Sequence, residues 1–356
     1  MKKLLIATTA LVGTASVAAA DITFSGYGRW GIIYEEDRAS GGTDLEETRL
    51  ESRYRLNIDS STETDGGIRF AARIRVQADD NNDGSVDAGS FGGARFQANV
   101  GGLRVRVGNV SGVHDAAEVI DFFGYEPGLV GQVGQYSTFG AAFIDAFVSS
   151  SAGGAEGNGG ANGVNIKYEY GDFAVMASYS EDIDENDGYS TSSASCGANT
   201  AVLPALPSGT ITVDGSITDP SSCDDDFEAW EIGASYTFSG WTIGAAYASA
   251  ESDGFDHEYY SATVSGTIGI ADVSFFIGDT DGVTDDDVAY GLSGSVPVGA
   301  ATNIVASYAG GGADGLEDAF GIGFTHSLGG GVSLSGMVGR NEGDNTVADL
   351  GVRFNF

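Results

Sequence analysis

The chain ends on Thr346-Val-Ala-Asp-Leu-Gly-Val-Arg-Phe-Asn-Phe356, in which Ala348, Leu350, Val352, Phe354 and Phe356 alternate with Asp349, Gly351, Arg353 and Asn355. Side chains of a β-strand repeat with a period of two, so this stretch reads as a strand with one apolar and one polar face. The apolar face runs to an aromatic ring on the final residue. In a soluble protein such a strand would be an open edge, ready to aggregate. In a closed membrane barrel it pairs with the first strand, and no edge is left.

The opposite end agrees. Lys2 and Lys3, the apolar run Leu4 to Val17 and the small residues Ala18-Ala19-Ala20 form the three parts of a secretory signal peptide. Residues 1–20 are therefore expected to be removed, leaving 21–356 as one barrel domain. No later apolar run reaches the roughly 20 residues of a membrane helix, so a membrane location requires a barrel. The formal net charge is -35, and loss of Lys2 and Lys3 makes it more negative. Nucleic acid, which demands a basic surface, is excluded as a partner. The 56 glycines, the 5 prolines and the abundance of Tyr and Phe are a β composition.

Alternation predicts strands over 21–35, 48–59, 67–78, 93–100, 103–109, 164–170, 173–181, 228–238, 241–250, 258–268, 271–280, 287–297, 301–310, 317–328, 332–341 and 346–356. That makes an all-β, sixteen-stranded antiparallel transmembrane barrel, with the even count of single-chain bacterial barrels. Gly67-Ile-Arg-Phe-Ala-Ala-Arg-Ile-Arg-Val-Gln77 is the clearest member. Ile68, Phe70, Ala72, Ile74 and Val76 face one way, and Arg69, Arg73, Arg75 and Gln77 the other. Lipid outside and water inside account for both faces. Short links such as Gly101-Gly102, Gly171-Asp172 and Ser239-Gly240 read as periplasmic turns, and the long ones (36–47, 79–92, 182–227) as external loops. Tyr168, Tyr170, Phe173, Tyr236, Phe238, Trp241, Phe354 and Phe356 flank the short turns and read as an interfacial girdle. Gly26 and Gly28, outward on the first strand, offer bare backbone to a neighbouring subunit.

One connection breaks the pattern. Residues 110–163 hold an apolar stretch, Phe139 to Val148, and the acids Asp115, Glu118, Asp121 and Glu126. A loop so long and so apolar has to pack against something. The space available is the lumen, which an infolded loop would constrict. Opposite it, Arg29, Arg49, Arg53, Arg55, Arg69, Arg73, Arg75, Arg95, Arg104 and Arg106 all have lumen parity on the first five strands. Acids facing this ladder across a narrow aqueous gap would set up a transverse field. Alternatively, the arginines pair with neighbouring lumen acids such as Glu51 and Asp59 as structural ion pairs.

The stretches Ile22-Thr-Phe-Ser-Gly-Tyr-Gly-Arg29, Leu103-Arg-Val-Arg-Val-Gly-Asn-Val110 and Thr346 to Phe356 resemble the trimeric general porins of Gram-negative outer membranes, the alphaproteobacterial Rhodobacter type in particular. The resemblance implies a homotrimer, a third external loop folded inward, and Ca²⁺ among loop carboxylates. It gives the acidic constriction role to Asp115, Glu118, Asp121 and Glu126, and the basic role to Arg29, Arg53, Arg55 and Arg73, the arginines nearest mid-strand. The expected activity is passive diffusion of small hydrophilic solutes and ions through a water-filled, weakly cation-selective channel in the outer membrane. The partners would be outer-membrane lipid and lipopolysaccharide. A substrate-specific channel for an anion or organic acid is the alternative, and a plugged structural barrel or adhesin a further one.

Other signals are weaker. Cys196 and Cys223 share one polar segment and, in an exported protein, are expected to form a disulfide. Asp79, Asn81, Asp83 and Gly84 fit the opening of an EF-hand Ca²⁺ loop. Ser90 stands where a glutamate would close it, however, so a polar hairpin loop is the favoured reading. His114, His257 and His326 are scattered, and no nucleophile signature accompanies them, so no enzyme activity and no required cofactor are expected.

Overall fold

Sixteen strands follow one another in the computed structural model, which describes residues 21–40, 43–80, 89–134, 163–182, 227–252, 255–281, 288–312 and 316–356. They are β1 (Asp21–Glu35), β2 (Thr48–Glu63), β3 (Arg69–Asp79), β4 (Arg95–Val100), β5 (Leu103–Gly108), β6 (Gly163–Tyr170), β7 (Phe173–Asp182) and β8 (Phe227–Phe238). The second half continues with β9 (Trp241–Ser252), β10 (Phe255–Ile268), β11 (Ala271–Asp281), β12 (Ala289–Pro297), β13 (Thr302–Gly310), β14 (Ala319–Gly329), β15 (Val332–Arg340) and β16 (Thr346–Asn355). Every strand pairs antiparallel with its chain neighbours, and β1 pairs with both β2 and β16. The sheet is therefore closed. Arg29 stands opposite Arg353 and Ile33 opposite Asp349. The Gly26 and Phe356 amides exchange hydrogen bonds of 2.9 and 3.0 Å, so pairing reaches the last residue.

The alternation places each face as expected. Phe24, Trp30, Leu50, Phe96, Ile322 and Leu350 all stand on the outside, Leu50 with 73 % of its surface bare. In water that surface would drive aggregation; in lipid it is the matching solvent. Tyr170, Phe173, Tyr236, Phe238 and Phe356 also stand outside, beside the short turns. At the Ser239-Gly240 turn both residues take positive φ (49° and 81°), the geometry whose twist matches the flanking strands.

Two local expectations change. The ladder breaks at Gly92-Gly93, so Ser90–Phe91 pairs with β3 as a separate fragment and β4 starts at Arg95. The outward glycines of β1 are covered by the chain's own rings. A Cβ on Gly28 would strike Phe354, and one on Gly26 would strike the Arg55 carbonyl oxygen and touch Phe356. Their bare backbone seats the terminal aromatics and so helps lock the closing seam. The buried apolar core lies inside the barrel, between the inner wall and the chain that follows β5.

Candidate pore constriction

The loop after β5 turns into the lumen and follows a track of small side chains. Gly108 (φ 98°) makes the bend, and the Asn109 amide bonds to the Ala94 carbonyl at 3.0 Å. A single helical turn, α1 (Val113–Ala116), sits against β7 and β8. Val119 and Ile120 then lie over Gly233 and Gly244, and Phe122 packs on Tyr259, Phe276 and Ala248. Pro127 rests on Gly321 and Gly323, and Leu129 on Gly31 and Gly351. A larger side chain at any of these wall positions would occupy the loop's own volume. Each fully buried apolar side chain contributes about 1.5–3 kcal/mol, against about 1–2 kcal/mol to order one backbone residue. Apolar contacts alone do not hold the polar residues between them, and hydrogen bonds to the wall supply the rest. The Tyr125 amide donates to Ser293 Oγ at 2.8 Å, and the Leu129 amide to both Asp349 oxygens at 2.9 Å. Ser307 Oγ donates to the Val133 carbonyl.

The first anchor is the most elaborate. His114 is 1 % exposed; its amide and its Nδ1 both lie 2.8 Å from Glu231 Oε2, and its Nε2 lies 2.6 Å from Ser261 Oγ. The contact order Ser–His–Glu is that of a hydrolase triad. All three residues are buried beneath the loop, however, so no substrate carbonyl can approach Ser261. The group fastens the loop to β8 and β10. Sequence reasoning missed it because the histidines are isolated along the chain. A usable signal was there all the same: Glu231 has lumen parity on a strand whose other inward positions include Ala229 and Gly233, and a lone carboxylate among small residues needs a partner. Asp349, on the polar face of β16, carried the same signal.

The expected constriction residues divide. Glu118 is clamped by Arg104 Nη2 (2.5 Å), Arg106 Nη1 (2.7 Å) and Lys167 Nζ (3.2 Å). Asp115 lines a cavity shared with Arg73, Arg75, Arg95 and Arg106. Asp121 accepts from the Gly124 amide at 3.2 Å, and the Glu126 carboxylate lies beside Gly131. Among the basic residues, Arg29 pairs with Glu51 at 2.6 Å and Arg53 with Asp79 at 3.2 Å. Arg73 holds both Asp59 oxygens, at 2.7 and 3.1 Å. Arg55 bonds Gln77 and lies over the Tyr27 ring, which also stacks under Arg353. Arg104 and Arg106, on the strand that leads into the loop, thus meet a loop acid directly. Arg29 and Arg73 take the neighbouring acids as structural partners, because register puts those acids within reach. Mid-strand position alone did not reveal this.

Burial pushes the Asp115 carboxyl up, the Glu231 charge adds to the push, and a hydrogen bond from Ser111 opposes it. Burial alone would raise Glu118 too; Arg104 and Arg106 outweigh it and hold that carboxyl below the usual range. The remaining expectations are mostly out of view. Cys196, Cys223, Asn81, Asp83, the Phe139–Val148 stretch and the proposed signal peptide lie outside the described residues. Asp79 is engaged by Arg53 and Gln77, and among the described residues no group of acids, His or Cys could hold a metal ion.

A closed tube that is apolar outside, charged inside and narrowed by its own chain defines a transmembrane channel. The chain belongs to the Gram-negative porin family, whose family model matches residues 7–346, and it is accordingly a multi-pass protein of the outer membrane. It is similar to the porin of Fuscovulum blasticum, with 29 % identity over 346 residues, and to that of Rhodobacter capsulatus, with 25 % over 371 residues; each comparison covers 94 % of this chain and 100 % of the relative. Among solved structures it matches a double mutant of Rh. blastica porin, with TM-score 0.67 and 25 % identity, again over 94 % of this chain and 100 % of the other. A triple mutant of the Rhodopseudomonas blastica porin matches with TM-score 0.66, 26 % identity and the same coverage.

The loop clamp yields two expectations. Glu231→Ala leaves His114 buried without its carboxylate, at a cost of about 1–3 kcal/mol. The loop should then loosen, raising current noise and protease cleavage near residue 114 in the reconstituted protein. Acidification should act in two stages. Asp115 has a raised pKa and loses its charge as pH falls through that value, which makes the lumen less attractive to cations. Glu118 has a lowered pKa, so its clamp is complete above the ordinary carboxylate range of about 4 and is lost only as pH falls through the depressed value. Open-channel noise recorded from neutral pH downward should stay low until the medium is more acidic than about pH 4.

Proposed function

We propose that this porin passes small hydrophilic solutes and ions passively, with a weak preference for cations, and that three copies assemble in the outer membrane. The observation that carries the permeation reading is the loop lying across the lumen opposite the arginine wall. A tube of sixteen strands is wide enough for an aqueous channel, and the loop reduces it to a polar gap with Asp115, Asp121 and Glu126 on one side and guanidiniums on the other, Glu118 bridging the two at Arg104 and Arg106. No energy source or reaction is needed for such transport. The strongly negative chain favours cations at the mouths, and the guanidinium wall opposes this locally. Reversal potentials of single channels in a salt gradient test the balance. A small potential of cation-selective sign is expected, and a clear anion preference would refute it.

The assembly reading rests on wall height. β4 and β5 have six residues each, whereas β8 and β9 have twelve. At about 3.3 Å per residue and a tilt of about 40°, six residues rise only about 15 Å, short of the roughly 25 Å apolar band of an outer-membrane barrel. This sector therefore needs cover from another copy. Its outer face carries Phe70, Phe96, Val105 and Val107 around an apolar groove of about 340 Å³. Phe96→Asp should convert trimers to monomers on a semi-native gel, with the barrel itself still folded. Unchanged trimers would place the contact elsewhere.

A further inference from the structure

The geometry points to a subsite for a doubly charged tetrahedral oxyanion, phosphate in kind, held by Arg95 between the inner wall and the loop. This rests on the channel reading and goes beyond it, because a purely ohmic pore needs no binding site. Arg73, Arg75, Arg95 and Arg106 converge on a cavity of about 230 Å³ whose other polar walls are Asn109, Ser111, Asp115 and Glu118. Three of the four guanidiniums already donate to the protein. Arg73 holds Asp59, Arg75 Nε donates to Asn57 Oδ1 at 2.9 Å, and Arg106 is shared between Gln97 and Glu118. Arg95 has no acceptor among the described residues, and its register partners are Arg73 on one side and Gly108 on the other. Two like charges set directly opposite on a sheet are destabilising, and an anion between them removes that cost.

The carboxylates in the cavity do not supply this anion. Glu118 is committed to Arg104, Arg106 and Lys167. Asp115 is bonded to Ser111 and faces the Arg75 charge, so two carboxylates stand among four guanidiniums. The cavity is therefore left with more positive than negative charge. Arg95 also lines a second cavity of about 620 Å³, together with Arg69, Arg73 and Arg106 and the acids Asp21 and Asp59. A solute travelling through the lumen can thus reach its guanidinium. The shape of the ligand follows from the donors. A carboxylate directs its acceptors within one plane, and a halide offers no directed acceptors. A tetrahedral dianion can accept from several forks lying in different planes.

The test is single-channel conductance of the reconstituted full-length protein in potassium chloride, with inorganic phosphate added at constant ionic strength and neutral pH. Saturable block by phosphate, absent with nitrate, is expected. Arg95→Gln should raise the half-blocking concentration about tenfold or more, the loss of one charge-assisted hydrogen bond, and Arg95→Lys should restore it only in part. Arg340→Gln, on the far end of β15 where Arg340 pairs with Asp344, should leave the block in place. A conducting channel indifferent to phosphate, or one blocked equally before and after Arg95→Gln, would overturn the subsite and leave the porin reading intact. Absence of any conductance would instead remove the channel reading itself.

Discussion

Hydrocarbon offers a backbone amide no hydrogen-bond partner, and the shape of this protein follows from that constraint. A sheet in lipid has to close. Here closure is the pairing of β1 with β16, carried to the last residue by the reciprocal bonds of Gly26 and Phe356. The seam is reinforced on the outside, where Phe354 and Phe356 lie over Gly28 and Gly26. Gly28 is the seat of the Phe354 ring, and Gly26 admits the close approach of the Arg55 carbonyl of β2. Once the sheet is closed, parity does the rest. Every second residue meets lipid, and the others meet water or the inward loop.

The inner wall then has two unlike halves. β1 to β5 present guanidiniums with interleaved acids, while β7 to β16 present mostly Gly, Ala, Ser and Thr. This asymmetry decides where the loop can lie. Long charged side chains fill the space over the first half and would lose hydration if covered. Over much of the second half the backbone is nearly bare, and Val119 and Pro127 settle on it, while Phe122 packs against Phe276 and Leu129 lies at the seam on Gly31 and Gly351. The guanidiniums of β3 to β5 are left lining cavities inside the barrel.

The clamp on Glu118 and the anchors at His114 and Asp349 make the loop part of the wall. Each joins a loop group to a strand side chain through hydrogen bonds that burial strengthens and that would be costly to leave unmade. Among the arginines, Arg29, Arg53 and Arg73 stabilise the wall through Glu51, Asp79 and Asp59, and Arg104 and Arg106 hold the loop. The ladder read from the chain is therefore one physical feature with two duties.

The strands, their faces, the closure and the inward course of residues 110–134 were legible in the amino-acid sequence, because each depends on a short-range period or on apolar content that must be hidden somewhere. The break at Gly92-Gly93 was less visible, since two glycines are compatible with a strand until the ladder is seen to part. The pairings across the lumen belong to the tertiary structure alone. His114 meets Glu231 across 117 residues and Ser261 across 147, and Leu129 meets Asp349 across 220. Whether such groups touch depends on strand register summed around the whole barrel and on where the loop finds bare backbone. Local alternation says which way a side chain points; only the closed sheet sets what stands opposite it.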